Sequence, residues 1–137
     1  MIWSPQQDAA LKAASAWLRG NNNQQVFRIF GFAGTGKSTL AKHLAQEVNN
    51  VCYAAFTGKA AMVMRKKGCR GAGTIHGLIY NIDDEKGGQP QFRLNHEDSP
   101  LMDADLLIVD EVSMVDEELA RDLLSFRKRV LVLGDPF

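Results

Sequence analysis

At 137 residues and 45% apolar composition, the chain is the size of one domain with enough apolar surface for a real core. Sixteen basic and sixteen acidic residues cancel, so net charge alone gives no argument for nucleic acid. No apolar run is long enough for a membrane span, and the amino terminus is an amphipathic pattern, not a secretory leader. Two cysteines, Cys52 and Cys69, and three histidines, His43, His76 and His96, show no metal spacing. Reduced thiols in a cytoplasmic protein are expected.

Ser4-Pro5-Gln6-Gln7 opens a first helix with an N-cap, a proline at the first helical position and Gln7 at the capping-box position. The helix runs through Leu11, Ala14 and Leu18 and stops at Gly20. Val26 to Phe30 reads as a strand and Lys37 to Val48 as a helix with Leu40, Leu44 and Val48 on one face. A second strand, Val51 to Phe56, ends at Thr57-Gly58-Lys59 and leads to a short helix, Ala60 to Lys67, closed by Gly68. Beyond Gly71-Ala72-Gly73 comes Thr74-Ile75-His76 and a short apolar piece to Ile79. Asn81 to Ser99 is polar and contains Gly87-Gly88, which predicts a small protruding hairpin or loop. Leu106 to Val109 reads as a strand, Asp116 caps a helix carrying Leu119, Leu123 and Phe126, and Val130 to Leu133 is a last strand. Alternating strands and helices predict an α/β fold with a mainly parallel sheet, here of four strands with an unpaired edge. Ending at Gly134-Asp135-Pro136-Phe137 with no closing helix, the sequence reads as a fragment of a larger domain.

Two motifs carry chemistry. Gly31-Phe32-Ala33-Gly34-Thr35-Gly36-Lys37-Ser38 fits G-x-x-x-x-G-K-S/T between a strand and a helix. Glycines let backbone N–H groups turn inward around a phosphate at the start of a helix. Lys37 then reaches the β- and γ-phosphates, and the Ser38 hydroxyl ligates Mg²⁺. Leu106-Leu107-Ile108-Val109-Asp110-Glu111 is an apolar run ending in two carboxylates, as expected of a strand buried on both faces. There Asp110 can hold the Mg²⁺ shell, and Glu111 can orient and deprotonate a water attacking the γ-phosphate. A kinase with a similar loop is an alternative, although adjacent carboxylates suit water activation better than hydroxyl phosphorylation. A non-catalytic ATP-binding regulatory module is a second alternative.

Charge is segregated along the chain. Val48 to Ile82 contains no acid but includes Lys59, Arg65, Lys66, Lys67 and Arg70, whereas Asp83 to Asp122 holds most of the acids. A basic strip on a neutral body is one reading and a solvated helix end is the other.

From about Ser4 to the carboxyl terminus, these motifs resemble the first RecA-like motor domain of superfamily 1 DNA helicases, in the RecD/Dda-like 5′→3′ branch. Gly31 to Thr39, including Gly34, Thr35, Gly36 and Thr39, is similar to the family's motif I. Thr57-Gly58-Lys59-Ala60-Ala61 is similar to motif Ia, and Thr74-Ile75-His76 to the next DNA-contacting motif. Asp110 to Asp116 resembles motif II, with Ser113-Met114 as its most branch-specific part, and Gly134-Asp135-Pro136 resembles the opening of motif III. The resemblance implies an ATP- and Mg²⁺-dependent motor that translocates on single-stranded DNA and unwinds duplex. It implies adenine recognition by Gln7, whose carboxamide can donate and accept. It also implies DNA contacts from Thr57, Gly58, Lys59, Thr74 and His76. Residues 81–99 lie where the family inserts a strand-separating pin, with Phe92 able to stack on a base. In the family a second motor domain supplies an arginine worth roughly 10³–10⁵ in rate. Its absence predicts that this chain alone binds Mg·ATP, hydrolyses it slowly and acts within a larger complex.

Overall fold

The computed structural model describes residues 5–20, 24–30, 37–83, 91–110 and 117–134, with the side chains of residues 6–7, 30, 37–40, 81–83, 91–92 and 134 outside the description. In chain order the elements are α1 (Pro5–Arg19), β1 (Val26–Phe30), α2 (Lys37–Ala45), β2 (Val51–Ala55) and α3 (Gly58–Lys66). They continue with β3 (Gly73–Thr74), α4 (Ile75–Ile79), β4 (Tyr80–Asp83), β5 (Gln91–Leu94) and a 3₁₀ turn at Pro100–Asp103. Last come β6 (Leu106–Asp110), α5 (Glu117–Leu124) and β7 (Val130–Gly134).

Five strands form one sheet in the order β1-β7-β6-β2-β3, and every pairing in it is parallel. The expected four-strand sheet therefore gains β3, which pairs only Gly73 and Thr74 with Ala54 and Ala55. Two residues give no periodicity to read. The chain steps from β1 across to β2 and outward to β3, then returns to β6 and finally inserts β7 between β6 and β1. Right-handed crossovers put connections running in opposite directions on opposite faces of a sheet. Consistent with this rule, α1 and α2 pack on one face, while α4 and α5 pack on the other.

Strand β6 shows why such a sequence must sit between two layers. Leu106 and Ile108 join Ile29, Leu131, Leu133, Trp17, Ala41 and Leu44 on one face. Leu107 and Val109 join Val130, Val132, Ile75, Ile79, Leu119 and Leu123 on the other. Each of the four central β6 side chains is at most 1% exposed. The alternation of a strand thus fills two cores at once, which a continuous apolar run permits. A smaller cluster of Ala55, Ala61, Met64, Cys69 and Ala72 seats α3 beside β2.

Helix ends explain the small departures from the expected boundaries. Helix α2 stops at Ala45, before Val48, because Gln46, Glu47 and Val48 donate to carbonyls three residues back and tighten the last turn. Helix α3 ends in a Schellman arrangement. The Cys69 N–H donates to Met64 O at 2.9 Å, the Gly68 N–H donates to Arg65 O at 3.1 Å, and Gly68 has φ +97°. The apolar contact that accompanies this motif is between Met64 and Cys69.

Arg129 fastens the end of α1. Its guanidinium donates to Trp17 O at 3.0 Å and Gly20 O at 2.7 Å, and lies 5.5 Å from the Trp17 ring centre. Trp17 stacks on Phe27 at 5.4 Å and donates from Nε1 to Gln24 O at 2.8 Å. A cation on the last carbonyls of a helix opposes its dipole and satisfies otherwise unpaired acceptors.

Gly68→Ala should destabilise the chain by about 1 kcal/mol or more, because an alanine pays for the left-handed backbone. Its Cβ would also meet Lys42 Nζ at 2.8 Å, a flexible group that can move aside. A lower urea midpoint with an unchanged slope is the expected reading.

Candidate functional site

Parallel register brings the carboxyl ends of the strands to one edge. Phe30 of β1 lies opposite Gly134 of β7, Asp110 of β6 lies opposite Leu133 and Ala55, and Ala55 of β2 lies opposite Thr74 of β3. In sequence, the glycine-rich segment begins immediately after Phe30 and Glu111 immediately follows Asp110. Crevices at the carboxyl ends of strands, where connections depart to opposite faces, are the usual ligand sites of open α/β sheets. Here β1 leaves towards α2 on one face and β6 towards α5 on the other.

Because β7 separates β1 from β6, the ends of β1 and β6 stand two inter-strand spacings apart, about 9.5 Å. Asp110 is half-buried at the lip of β6. A carboxylate there keeps water on one side and the apolar β6 core on the other, which fits a hard divalent cation held by oxygen donors. Lys37, Ser38 and Thr39 form the first turn of α2, and Gln7 stands in the first turn of α1. Gly34, Thr35, Gly36 and Glu111, and the side chains of Gln7, Lys37, Ser38 and Thr39, lie outside the described residues. Among the described residues no cluster of three or more His, Cys, Asp or Glu forms a metal site. No helix among them is long and apolar enough to cross a membrane.

Of the predicted nucleic-acid residues, Thr57, Gly58, Lys59, Thr74 and His76 occupy the β2–β3 end of the same edge. Thr57 is the N-cap of α3, its Oγ1 accepting from the Ala60 N–H at 3.1 Å. Thr74 is the N-cap of α4, its Oγ1 accepting from the Gly77 N–H at 3.0 Å. Capping uses one lone pair of each hydroxyl and leaves its O–H able to donate outward. Gly58 and Lys59 follow in the first turn of α3, exposed. Gly58 has open space around the position a Cβ would take. His76 is exposed on the first turn of α4, its ring 6.2 Å from Phe56 and 5.7 Å from Tyr80. Sequence reasoning missed both aromatic neighbours. The available signals were an aromatic residue just past β2 and a tyrosine one helical turn after His76. Phe92 sits in β5 opposite Ile82, with its side chain outside the described residues.

The basic strip divides in two. The Arg65 guanidinium donates to Ala72 O and so braces the turn after α3. Lys59, Lys66, Lys67 and Arg70 are exposed, and none of them forms an ion pair among the described residues. Lys42 of α2 donates from Nζ to Lys67 O at 3.2 Å, joining the helix that follows the glycine-rich segment to the end of α3. Burial pushes the Cys69 thiol above its ordinary value of 9.0, with Lys42 opposing the shift and Asp110 adding to it. Cys52 is raised by burial and by Asp103, and Tyr53 by burial and by Cys69. Both thiols are therefore protonated at neutral pH and poor nucleophiles.

Residues 14–136 match the family AAA_19, an AAA domain. The chain is 42% identical over 116 residues to the ATP-dependent RecD2 DNA helicase of Deinococcus radiodurans, a match covering 78% of this chain and 15% of that protein. It superposes on a structure of Pif1 helicases unwinding forked duplex DNA with a TM-score of 0.65 and 25% identity, covering all of this chain and 34% of that one. It also superposes on Bacteroides sp. Pif1 in complex with ADP-AlF4, with a TM-score of 0.63 and 26% identity, covering 98% of this chain and 32% of that one.

The capping geometry predicts how two threonine replacements differ. Thr57→Ala should cost about 1 kcal/mol of stability, whereas Thr57→Ser should cost little because the capping oxygen remains. Thermal or urea unfolding of the two variants checks this. For Cys69, folded-state alkylation at pH 8 should be much slower than alkylation of the urea-unfolded chain, since the raised thiol pKa and burial both withhold the thiolate.

Proposed function

The chain belongs to the AAA_19 family of AAA domains, and on that footing we propose that it is part of the first motor domain of a superfamily 1 DNA helicase. In this reading it binds Mg·ATP at the β1–β6 end of one sheet edge and single-stranded DNA at the β2–β3 end. The observation that carries the proposal is the shared parallel register, which aligns Phe30, Asp110, Ala55 and Thr74 along that edge. The likeness to RecD2 and to Pif1 helicases supports the same reading. The chain spans 15% of RecD2 and about a third of the Pif1 chains, so translocation and unwinding are proposed for a whole protein of that kind.

Each residue has a role in this scheme. Backbone N–H groups of residues 31–36 and the start of α2 cradle the phosphates, and Lys37 pairs with the β- and γ-oxygens. Ser38 and Asp110 are the protein ligands for Mg²⁺, which when bound neutralises charge on those oxygens. Glu111 orients the attacking water and takes its proton. Gln7 reads the adenine edge. Helices α1 and α2 are joined near their carboxyl ends, where Ser15 and Arg19 bond to Glu47.

On the DNA side, Thr57 and Thr74 donate their free O–H groups to phosphates, Lys59 adds charge, and His76 presents a ring steadied by Phe56 and Tyr80. None of these contacts reads a base edge, so binding is indifferent to sequence. Phe92 on the β4–β5 hairpin is the candidate for stacking at a fork.

ATP hydrolysis measured with and without single-stranded DNA tests the proposal, and turnover indifferent to DNA in a protein containing this chain would sink it. Lys37→Ala should abolish nucleotide binding. Glu111→Gln should retain binding while turnover falls by about 10²–10⁴. Lys59→Ala should weaken single-strand binding for all sequences alike and flatten the log–log salt dependence by about 0.7.

A further inference from the structure

The β4–β5 hairpin leaves the sheet domain after α4 and returns before the 3₁₀ turn, and both of its roots are tied to one helix. At the first root, Tyr80 Oη donates to Asp122 Oδ2 of α5. At the second, His96 Nε2 lies 2.8 Å from Ser125 Oγ, just beyond α5, and the His96 ring is 4.6 Å from the buried Phe126 ring. Ser125 Oγ spends its single proton on Asp122 O, so His96 Nε2 is the donor in this pair. The two roots are joined to each other by the Asn95 N–H, which donates to Ile79 O at 2.8 Å. Tyr80 and Leu94 pack against the core cluster that contains Leu119, Leu123 and Phe126.

Helix α5 is also the element that follows the acidic motif, with residues 111–116 joining Asp110 to Glu117. Its buried Leu119 and Leu123 pack it against the sheet. Tyr80 meets a third party, since its ring lies 5.7 Å from His76 on the DNA side. One side chain thus touches the hairpin, the helix leaving the nucleotide motif and the ring proposed to contact DNA.

We propose that Tyr80 and His96 are positioning residues that lock the β4–β5 hairpin to α5, so that nucleotide binding at Asp110 and Glu111 is transmitted to the hairpin through that helix. The inference rests on the nucleotide site proposed above. Without the two bonds the hairpin would still form, because its ladder pairs Tyr80–Asp83 with Gln91–Leu94 on its own. It would then be held to α5 only by the apolar packing of Tyr80 and Leu94, which fixes no single orientation.

Hydrogen exchange of the 137-residue chain, with and without Mg²⁺ and a non-hydrolysable ATP analogue, tests this. In the wild type, nucleotide should slow exchange several-fold both in residues 37–45 and in residues 80–83 and 91–94. In Tyr80→Phe/His96→Phe, which keeps a ring at both positions and removes both hydrogen bonds, the slowing at 37–45 should persist while the slowing in the hairpin is lost. A merely structural role would change the hairpin's exchange equally with and without nucleotide, and that result would overturn the proposal. So would a hairpin response that survives both substitutions, or a wild-type hairpin that ignores nucleotide while 37–45 responds. Absence of any response at 37–45 would instead defeat the nucleotide site, and this inference with it. If the double variant does not fold, Tyr80→Phe alone, which keeps the ring, is read at residues 80–83 by the same criteria.

Discussion

Parallel pairing with continuous register is the constraint on which everything else in this molecule depends. A parallel sheet points all of its strand ends one way, and its crossovers must run over its faces. Both faces are then covered, so central strands such as β6 must be apolar on both sides, and polar chemistry is driven to the ends. The carboxylate of Asp110 appears at the first position where β6 escapes its two cores. Thr57 and Thr74 appear at the same level for the same reason, where chains leave the sheet and new helices need caps.

Much of this was legible in the sequence, and the reasons are local. A proline at the start of α1, glycines beyond α1 and α3, and the apolar run of β6 each state a boundary in their own chemistry. The glycine-rich segment and the paired carboxylates declare themselves by residue type and spacing, and the likeness to RecD2 agrees with the family those motifs resemble. What stayed hidden depends on partners far away in the chain. Strand β3 exists because Gly73 and Thr74 find Ala54 and Ala55, and two residues carry no period. The role of Arg129 could not be read either, because the carbonyls it caps belong to Trp17 and Gly20. The basic strip illustrates the limit well. Arg65 and its neighbours look alike in sequence, yet Arg65 braces a backbone turn while Lys66 and Lys67 reach solvent.

The threonines also show why capping a helix and offering a hydrogen bond outward need not compete. A hydroxyl that accepts a hydrogen bond from its own helix is held in one rotamer, with its proton directed away from the cap. Fixing the group for stability therefore prepares it for an external acceptor, at little additional entropic cost. The same holds for His76, whose ring is confined by Phe56 and Tyr80 before anything binds.

The bond from Asn95 to Ile79 closes the excursion of residues 80–94 at its base, where Tyr80 and Leu94 pack against the core. Lengthening a closed excursion is thermodynamically cheap, about 0.6 kcal/mol for each doubling of a flexible loop. Relatives of this fold could therefore lengthen or shorten the hairpin, and so its reach from the sheet edge, without disturbing any strand register.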